Sequence, residues 1–389
     1  MHLFSDGPHP TEMHGDKRSP ASGLRLGLVG PLPPPSGGMA NQTRQLAQLL
    51  ENEGALVSVV RFNAPYRPAW VASLRGIRGL FRLCPYLLQL WVTAGRVDVF
   101  HVMANSGWAW HLCAAPAIWI AKLRGIPVVV NYRGGNANEF FSRSFRFVKP
   151  TLQAADEVVV PSGFLEHVFG RFGVRVKVIP NIIDIGRFVR RQALDASGFE
   201  PHMIVTRNLE AIYDVSTAIR AVAILKFVYP RLRMTIAGEG PERERLEDLV
   251  HTLALDGHVR FTGRLDNLGI ESLYQQADVF INPSLVDNMP ISILEALASE
   301  VPVVSTRVGG VPFMVQDGKD ALLVPPGDPQ AMANAVCKLL QDPSRTRELT
   351  RAGRDCAEQY AWANVRPQWL GTYARARASR MRGIAAPAE

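Results

Sequence analysis

A short run of β-branched and aliphatic residues, closed by Gly, Pro or Asn and usually followed by a helix-length segment, recurs twelve times along this 389-residue chain. LRLGLVGP, ALVSVVRF, DVFHVM, IPVVVNY, EVVVPS and VKVIPN form a first set of six; HMIVTRN, RMTIAGEG, HVRFTGR, DVFINPS, VPVVSTR and ALLVPP form a second. Runs that are apolar throughout suit strands buried on both faces, and strands alternating with helices build a parallel sheet covered on both sides. The chain is also longer than one hydrophobic core usually serves. The expected fold class is therefore α/β, with two doubly wound domains, residues 24–185 and 186–364. Residues 1–23 are polar, lack the apolar stretch of a signal peptide, and are expected to be a disordered leader.

Charge is divided unevenly between the halves. Residues 1–185 hold 19 Lys and Arg against 11 Asp and Glu, whereas residues 186–389 hold 24 of each, so the net +8 lies wholly in the first half. A basic half suits an anionic membrane surface or a phosphorylated ligand. No zinc-finger spacing or RNP-type aromatic pattern selects nucleic acid, and none is expected as a partner. Cys84, Cys113, Cys337 and Cys356 make no CxxC pair, which points to buried thiols in a reducing compartment and a cytoplasmic location. The longest apolar stretch, Trp108 to Ala121, is shorter than a bilayer span and reads as a buried helix. His101 and His111 stand alone and are expected as satisfied core or cleft residues; no metal site is expected.

Ligands of doubly wound sheets gather at the carboxyl ends of strands. Those ends carry Gly37 and Gly38, Arg133, Arg207, Gly238 to Pro241, and the segment Pro283 to Glu295. Gly37 and Gly38 precede a helix, where backbone can approach a phosphate and the helix dipole favours an anion; the same pair also suits a plain turn. Arg207 is placed to ease departure of a diphosphate, with a salt bridge to Glu210 as its bland alternative. Asp287 and Glu295, eight residues apart, suit hydrogen bonds from vicinal hydroxyls, or else a helix-dipole Asp and an exposed Glu.

From Pro283 to Thr306 the sequence resembles glycosyltransferase family 4, retaining nucleotide-sugar enzymes of the GT-B fold, whose second domain carries E-x7-E; here it reads D-x7-E. The likeness extends through IAGEGPERERLEDL, LYQQADVFINPS and TRVGGVPFMVQDGKDALLVPPGDPQAMANAV. In the first half it includes PSGGM, HVMANSG and ADEVVVPSGF, so it covers nearly everything from Leu24 to Tyr373. The resemblance implies an interdomain cleft and a C-terminal segment, residues 365–389, returning to the first domain. It implies that Glu295 holds a ribose, that Asp287 with the backbone amides of Asn288, Met289, Pro290 and Ile291 holds the transferred sugar, and that Gly238, Gly240 and Pro241, with Arg260, Phe261 and Gly263, edge the nucleotide base. The donor would be a nucleotide-diphosphate sugar, with no further cofactor.

Two departures stand out. The Lys that usually follows the phosphate-binding Arg is missing from TRNLEAIYDVST, where Ile212, Tyr213 and Asp214 stand. Arg133 holds the place where many members carry a His; being permanently protonated, it is no general base but suits phosphates or the donor sugar. The leading expectation is a transferase in cell-envelope or exopolysaccharide synthesis. The alternatives are a nucleotide-sugar epimerase and a non-catalytic sugar-binding or scaffold protein. Between Arg67 and Arg96, Arg67, Arg75, Arg78 and Arg82 interleave with Trp70, Leu74, Ile77, Leu80 and Phe81. This stretch suits peripheral contact with an anionic membrane and access to a lipid-linked acceptor, or an ordinary amphipathic helix packed on the sheet.

Overall fold

The computed structural model describes residues 21–34, 37–66, 68, 70, 73, 78–189 and 200–385. Most of the expected leader, and Arg67, Leu74, Arg75 and Ile77 of the basic stretch, lie outside them. All twelve apolar runs are strands. The first six are β1 (Arg25–Gly30), β2 (Leu56–Arg61), β3 (Val99–Ala104), β4 (Val128–Tyr132), β5 (Glu157–Val160) and β6 (Lys177–Val178). Between them run α1 (Gly38–Asn52), α2 (Arg78–Ala94), α3 (Ala115–Leu123), α4 (Ala137–Ala154) and α5 (Gly163–Arg171). The second six are β7 (His202–Val205), β8 (Arg233–Ala237), β9 (Val259–Gly263), β10 (Val279–Asn282), β11 (Val303–Thr306) and β12 (Leu322–Val324). Their helices are α6 (Val215–Leu225), α7 (Arg243–Thr252), α8 (Asn267–Gln275), α9 (Ile291–Ala298), α10 (Pro329–Gln341), α11 (Pro343–Glu358) and α12 (Trp362–Ala385).

Each set forms one six-stranded parallel sheet, ordered β2-β1-β3-β4-β5-β6 and β12-β11-β10-β7-β8-β9. In the first, the strand order reverses between β1 and β3; in the second, between β7 and β10. Loops leaving such neighbours diverge to opposite faces and open a crevice, so the topology alone marks these two places for a ligand.

Four apolar layers cover the two sheets. One face of the first sheet packs against α2 to α5 through Leu90, Ile118, Phe141 and Phe169. Its other face packs against α1 and α12 through Leu46, Leu50, Trp369 and Tyr373. The second sheet is sandwiched between α6, α7 and α10 on one side and α8 and α9 on the other. The C-terminal helix thus belongs to the first sheet's packing. His101 on β3 lies 2.8 Å from Tyr373 Oη and 3.1 Å from Asn131 Nδ2, the satisfied core histidine anticipated from sequence. Ala21 is fully buried in the same layer, so packing begins before Leu24, within the stretch expected to be a leader.

Two further expectations need correction. Cys84 is exposed on α2, and the other three cysteines are only half-buried, Cys337 and Cys356 at the margins of the second domain's apolar layers. The apolar stretch from Trp108 is helical, including a single π-helical turn at Trp110–Ala114, yet only one side of it is buried. Trp110, Ala117, Ile118 and Ala121 face the sheet, while Trp108 and Leu123 are 77% and 76% exposed.

Candidate functional site

The carboxyl ends of both sheets face one open cleft of about 1370 Å³. Gly37, Gly38 and Arg133 line it from the first domain; Arg207, Gly238, Asp287, Asn288, Met289, Pro290, Ile291 and Glu295 line it from the second. Gly240, Pro241, Arg260, Phe261 and Gly263 do not; Arg260 is exposed, and the next turn, Arg264 and Leu265, takes that edge.

Arg207 lies two residues beyond the end of β7, and two glycines fix where its backbone runs. A Cβ on Gly238 would stand 2.0 Å from Arg207 O, and one on Gly240 2.2 Å from Leu209 O. Leu209 N donates to Glu239 O at 3.0 Å across this close approach. The loop bearing Asp287 is held in the same way. A Cβ on Gly309 would lie 1.9 Å from Asp287 O and one on Gly310 1.6 Å from Asn288 O, while Gly310 N donates to Asp287 O at 3.0 Å. Since Gly309 also has φ +50°, it combines a left-handed backbone with a contact that leaves no room for a side chain.

Because β7 and β10 are neighbours, the two loops bring Arg207 and Asp287 together. Arg207 Nη2 donates to Asp287 Oδ2 at 2.7 Å, with the side chains only 12% and 9% exposed. Asp287 therefore takes the counter-ion place considered for Glu210. Ser284 Oγ donates to the same Asp287 oxygen at 3.1 Å, and Asn288 N donates to the other at 3.0 Å. Tyr213 lies against the guanidinium, its ring centroid 4.0 Å from Arg207 Cζ, in the segment where the Lys is missing. The Asn288 amide is thus already engaged, and Pro290 has no N–H to offer. Of the four expected backbone donors, Met289 N and Ile291 N remain; Pro290 caps α9, which has no acidic residue in its first turn.

Glu295 is half-buried on α9. Burial pushes its carboxyl above the usual range, opposed by the Tyr274 hydroxyl at 3.1 Å and the charges of Arg187 and Arg207. Across the cleft, Arg133 donates from Nη2 to Asn181 Oδ1, while its Nε is buried without a partner. Burial lowers its pKa to about 10, so it remains a cation at neutral pH. Asn181 Nδ2 in turn donates to Met289 O at 2.8 Å, and Ser162 Oγ donates to Asn288 Oδ1 at 2.5 Å. These two bonds tie the first domain to the loop that presents Asp287.

Several lining residues escaped the sequence reading: Tyr213, Asn181, Arg187 and the exposed Arg44 and Arg264. Arg187, in the IGRF turn, pairs with Glu271 at 2.7 Å. Among the described residues there is no group of three or more His, Cys, Asp or Glu able to hold a metal. The arrangement places cationic and amide donors from both domains around one space, beside a carboxylate able to accept from hydroxyls.

Family models match both halves: Glycosyltransferase Family 4 over residues 36–187 and Glycosyl transferases group 1 over residues 200–342. A glycogen synthase of Mycobacterium tuberculosis is 28% identical over 69% of this chain and 67% of its own. A phosphatidyl-myo-inositol mannosyltransferase of Mycolicibacterium smegmatis is 25% identical over 90% of this chain and 93% of its own. The solved structure of HepE from Anabaena with UDP and glucose shares the fold, with TM-score 0.70, 20% identity, and 90% and 99% of the two chains covered. The two family matches lie on either side of the cleft, and the chain belongs to the GT-B glycosyltransferases of the family 4 and group 1 type.

Proposed function

We propose that this glycosyltransferase is a retaining enzyme that moves a sugar from a nucleotide-diphosphate sugar to a lipid-linked or polysaccharide acceptor in cell-envelope or exopolysaccharide synthesis. The observation that carries the donor assignment is the pair of buried guanidinium groups, Arg133 and Arg207, reaching one cleft from facing domains. Fixed cations at that position stabilise negative charge as a diphosphate departs, at no reorganisation cost. The N-terminus of α1 at Gly37 and Gly38, and that of α9 at Ile291, add amide donors without an acidic side chain in their first turns. HepE, which binds UDP and glucose in its crystals, supports the same donor class here.

A retaining route is supported by a cleft whose described lining residues include no His and two of whose carboxylates, Asp287 and Glu271, are engaged by Arg207 and Arg187. As the anomeric C–O bond to the diphosphate breaks, the acceptor hydroxyl forms the new C–O bond on the same face and passes its proton to the departing phosphate oxygen. No enzymic nucleophile is required. Glu295 holds the ribose hydroxyls, and Met289 N and Ile291 N the transferred sugar. The acceptor enters from the first domain, which rests against an anionic membrane through the region of residues 67–96.

The test is thermal stabilisation by a panel of nucleoside diphosphates and nucleotide sugars. A ligand bound only by the folded state at one hundred times its Kd adds about 2.7 kcal/mol. One diphosphate should raise the melting temperature of the wild type and raise that of Arg133→Ala or Glu295→Ala clearly less. No response to any of them would overturn the reading in favour of a non-catalytic scaffold.

A further inference from the structure

The outer sides of α2 and of the helical segment from Trp108 through α3 are wrong for water. A helix covering a sheet normally turns a polar face outward. On α2 the exposed residues include Phe81, Cys84, Leu88, Trp91 and Val92, along with the polar Gln89. On the neighbouring segment Trp108, Leu112, Trp119 and Leu123, spaced by four, seven and four residues, form one exposed stripe. At 1.5 Å per residue it runs about 22 Å. Arg124 joins the two helices by lying over the Trp91 ring at 4.8 Å.

Charge identifies what covers this face. From residue 54 to residue 138 the chain holds nine Lys and Arg and a single acid, Asp98, which is paired with Arg25. Lys122 and Arg124 are exposed at the end of the stripe, and Arg146 lies beside the exposed Phe147 ring at 4.5 Å on α4, which packs on α3. Among the described residues no helix is long and apolar enough to cross a membrane. Lys122 also meets Asp156 at 3.5 Å and α4 carries the exposed Glu139 beside Arg143, but cations are in excess. Aromatic and aliphatic side chains with a cationic border match the headgroup–acyl boundary of an anionic bilayer, in which such helices lie flat. The stripe also begins at the cleft: Asn105 and Ser106 line the cleft, and Trp108 follows two residues later.

We infer that the α2–α3 face lies in the interface of an anionic bilayer, and that Trp108 marks the edge over which a lipid-anchored acceptor's headgroup passes into the cleft. This extends the membrane contact proposed above from one segment to a two-helix platform; only the acceptor route rests on the transferase reading.

The experiment is flotation of the full chain with vesicles of phosphatidylcholine alone or with phosphatidylglycerol. The wild type should bind the phosphatidylglycerol vesicles, less at raised salt, and bind phosphatidylcholine weakly. Leu88→Asp and Leu123→Asp should each lower partitioning by about tenfold or more while leaving the melting temperature and its response to nucleoside diphosphates unchanged. Independently of any Asp variant, brominated lipid should quench wild-type tryptophan fluorescence, and Trp108→Phe should reduce the quenching. Failure of the wild type to bind, binding unaffected by either Asp variant, or no quenching would overturn the proposal. A concentration-dependent dimer that fails to bind vesicles and is dissociated by Leu88→Asp would assign the face to a second copy instead. Vesicle binding is measured without nucleotide, so its failure is separate from failure of the donor assignment.

Discussion

Acidification should weaken this fold through two buried histidines. His101, held between Asn131 and Tyr373, has its pKa lowered to about 3, chiefly by burial and then by the nearby charge of Arg133. His202 Nδ1 donates to Gln276 O at 2.9 Å, its Nε2 in the neutral ring accepts from Thr235 Oγ1 at 2.8 Å, and burial lowers its pKa to about 4. An unfolded histidine titrates near 6.5, so both side chains are neutral in either state well above that pH and cost nothing. As pH falls below about 6.5 the unfolded chain takes up protons that the folded chain refuses, and stability is lost until the folded values are reached. At pH 5 each histidine removes about 2 kcal/mol. That figure depends mainly on the unfolded value, because both folded values lie below 5. Glu295, with its pKa raised, titrates with the opposite sign and offsets part of the loss at lower pH. Since His101 and His202 lie in the cores of different sheets, calorimetry of wild type, His101→Gln and His202→Gln at pH 7 and pH 5 separates them. Each variant should flatten the pH dependence of one transition by about 2 kcal/mol. A His101→Gln protein with the wild-type pH dependence would refute the reasoning for that residue.

Other outcomes follow from the same coordinates. Asp287→Ala leaves Arg207 buried without its counter-ion and should destabilise the second domain by about 3–5 kcal/mol in urea titration, whereas Asp287→Asn should cost clearly less. Tyr213→Ala removes the ring beside Arg207 and should cost about 1–2 kcal/mol, read by the same titration. Gly310→Ala places a Cβ 1.6 Å from Asn288 O and should cost about 3 kcal/mol, with loss of nucleotide stabilisation because the Asp287 loop must move.

The strands were legible because parallel strands buried on both faces need unbroken apolar runs, and Gly, Pro or Asn marks their ends. Position after a strand end likewise picked out Arg133, Arg207 and Asp287, with Glu295 in the helix that follows, as residues that line the cleft. Pairing was not legible in the same way. Arg207 stands three residues from Glu210 and 80 from Asp287, yet the placement of β7 beside β10 makes the distant carboxylate its partner. Nothing local to the glycines at 309 and 310 announces a backbone carbonyl waiting where each Cβ would be. Composition also misjudged the helical segment from Trp108. An apolar helix in a soluble fold suggests burial, but the sheet beneath can cover only one side of it, and the other side stayed bare.

The missing Lys and His change the balance of charge in the cleft as well as the inventory of donors. Arg207 is neutralised by Asp287 and Arg187 by Glu271, so an incoming diphosphate meets a carboxylate already at either, although Arg207 Nε, like that of Arg133, has no partner. Arg133 meets only the neutral Asn181 and leaves Nε unpaired, so an anion that reaches it displaces nothing charged. A hydrogen bond to a charged group contributes about 1.5–3 kcal/mol, roughly tenfold to a hundredfold in affinity. Arg133→Met should therefore weaken nucleoside diphosphate binding by that factor. Removing the compensated pair together, Arg207→Met with Asp287→Asn, should weaken it less, because the net charge of the site is unchanged while one competing carboxylate is gone. Titration calorimetry gives both affinities directly. If the double variant lost more than Arg133→Met, Arg207 would hold the phosphate despite its counter-ion, and the uncompensated charge of Arg133 would serve something other than the donor.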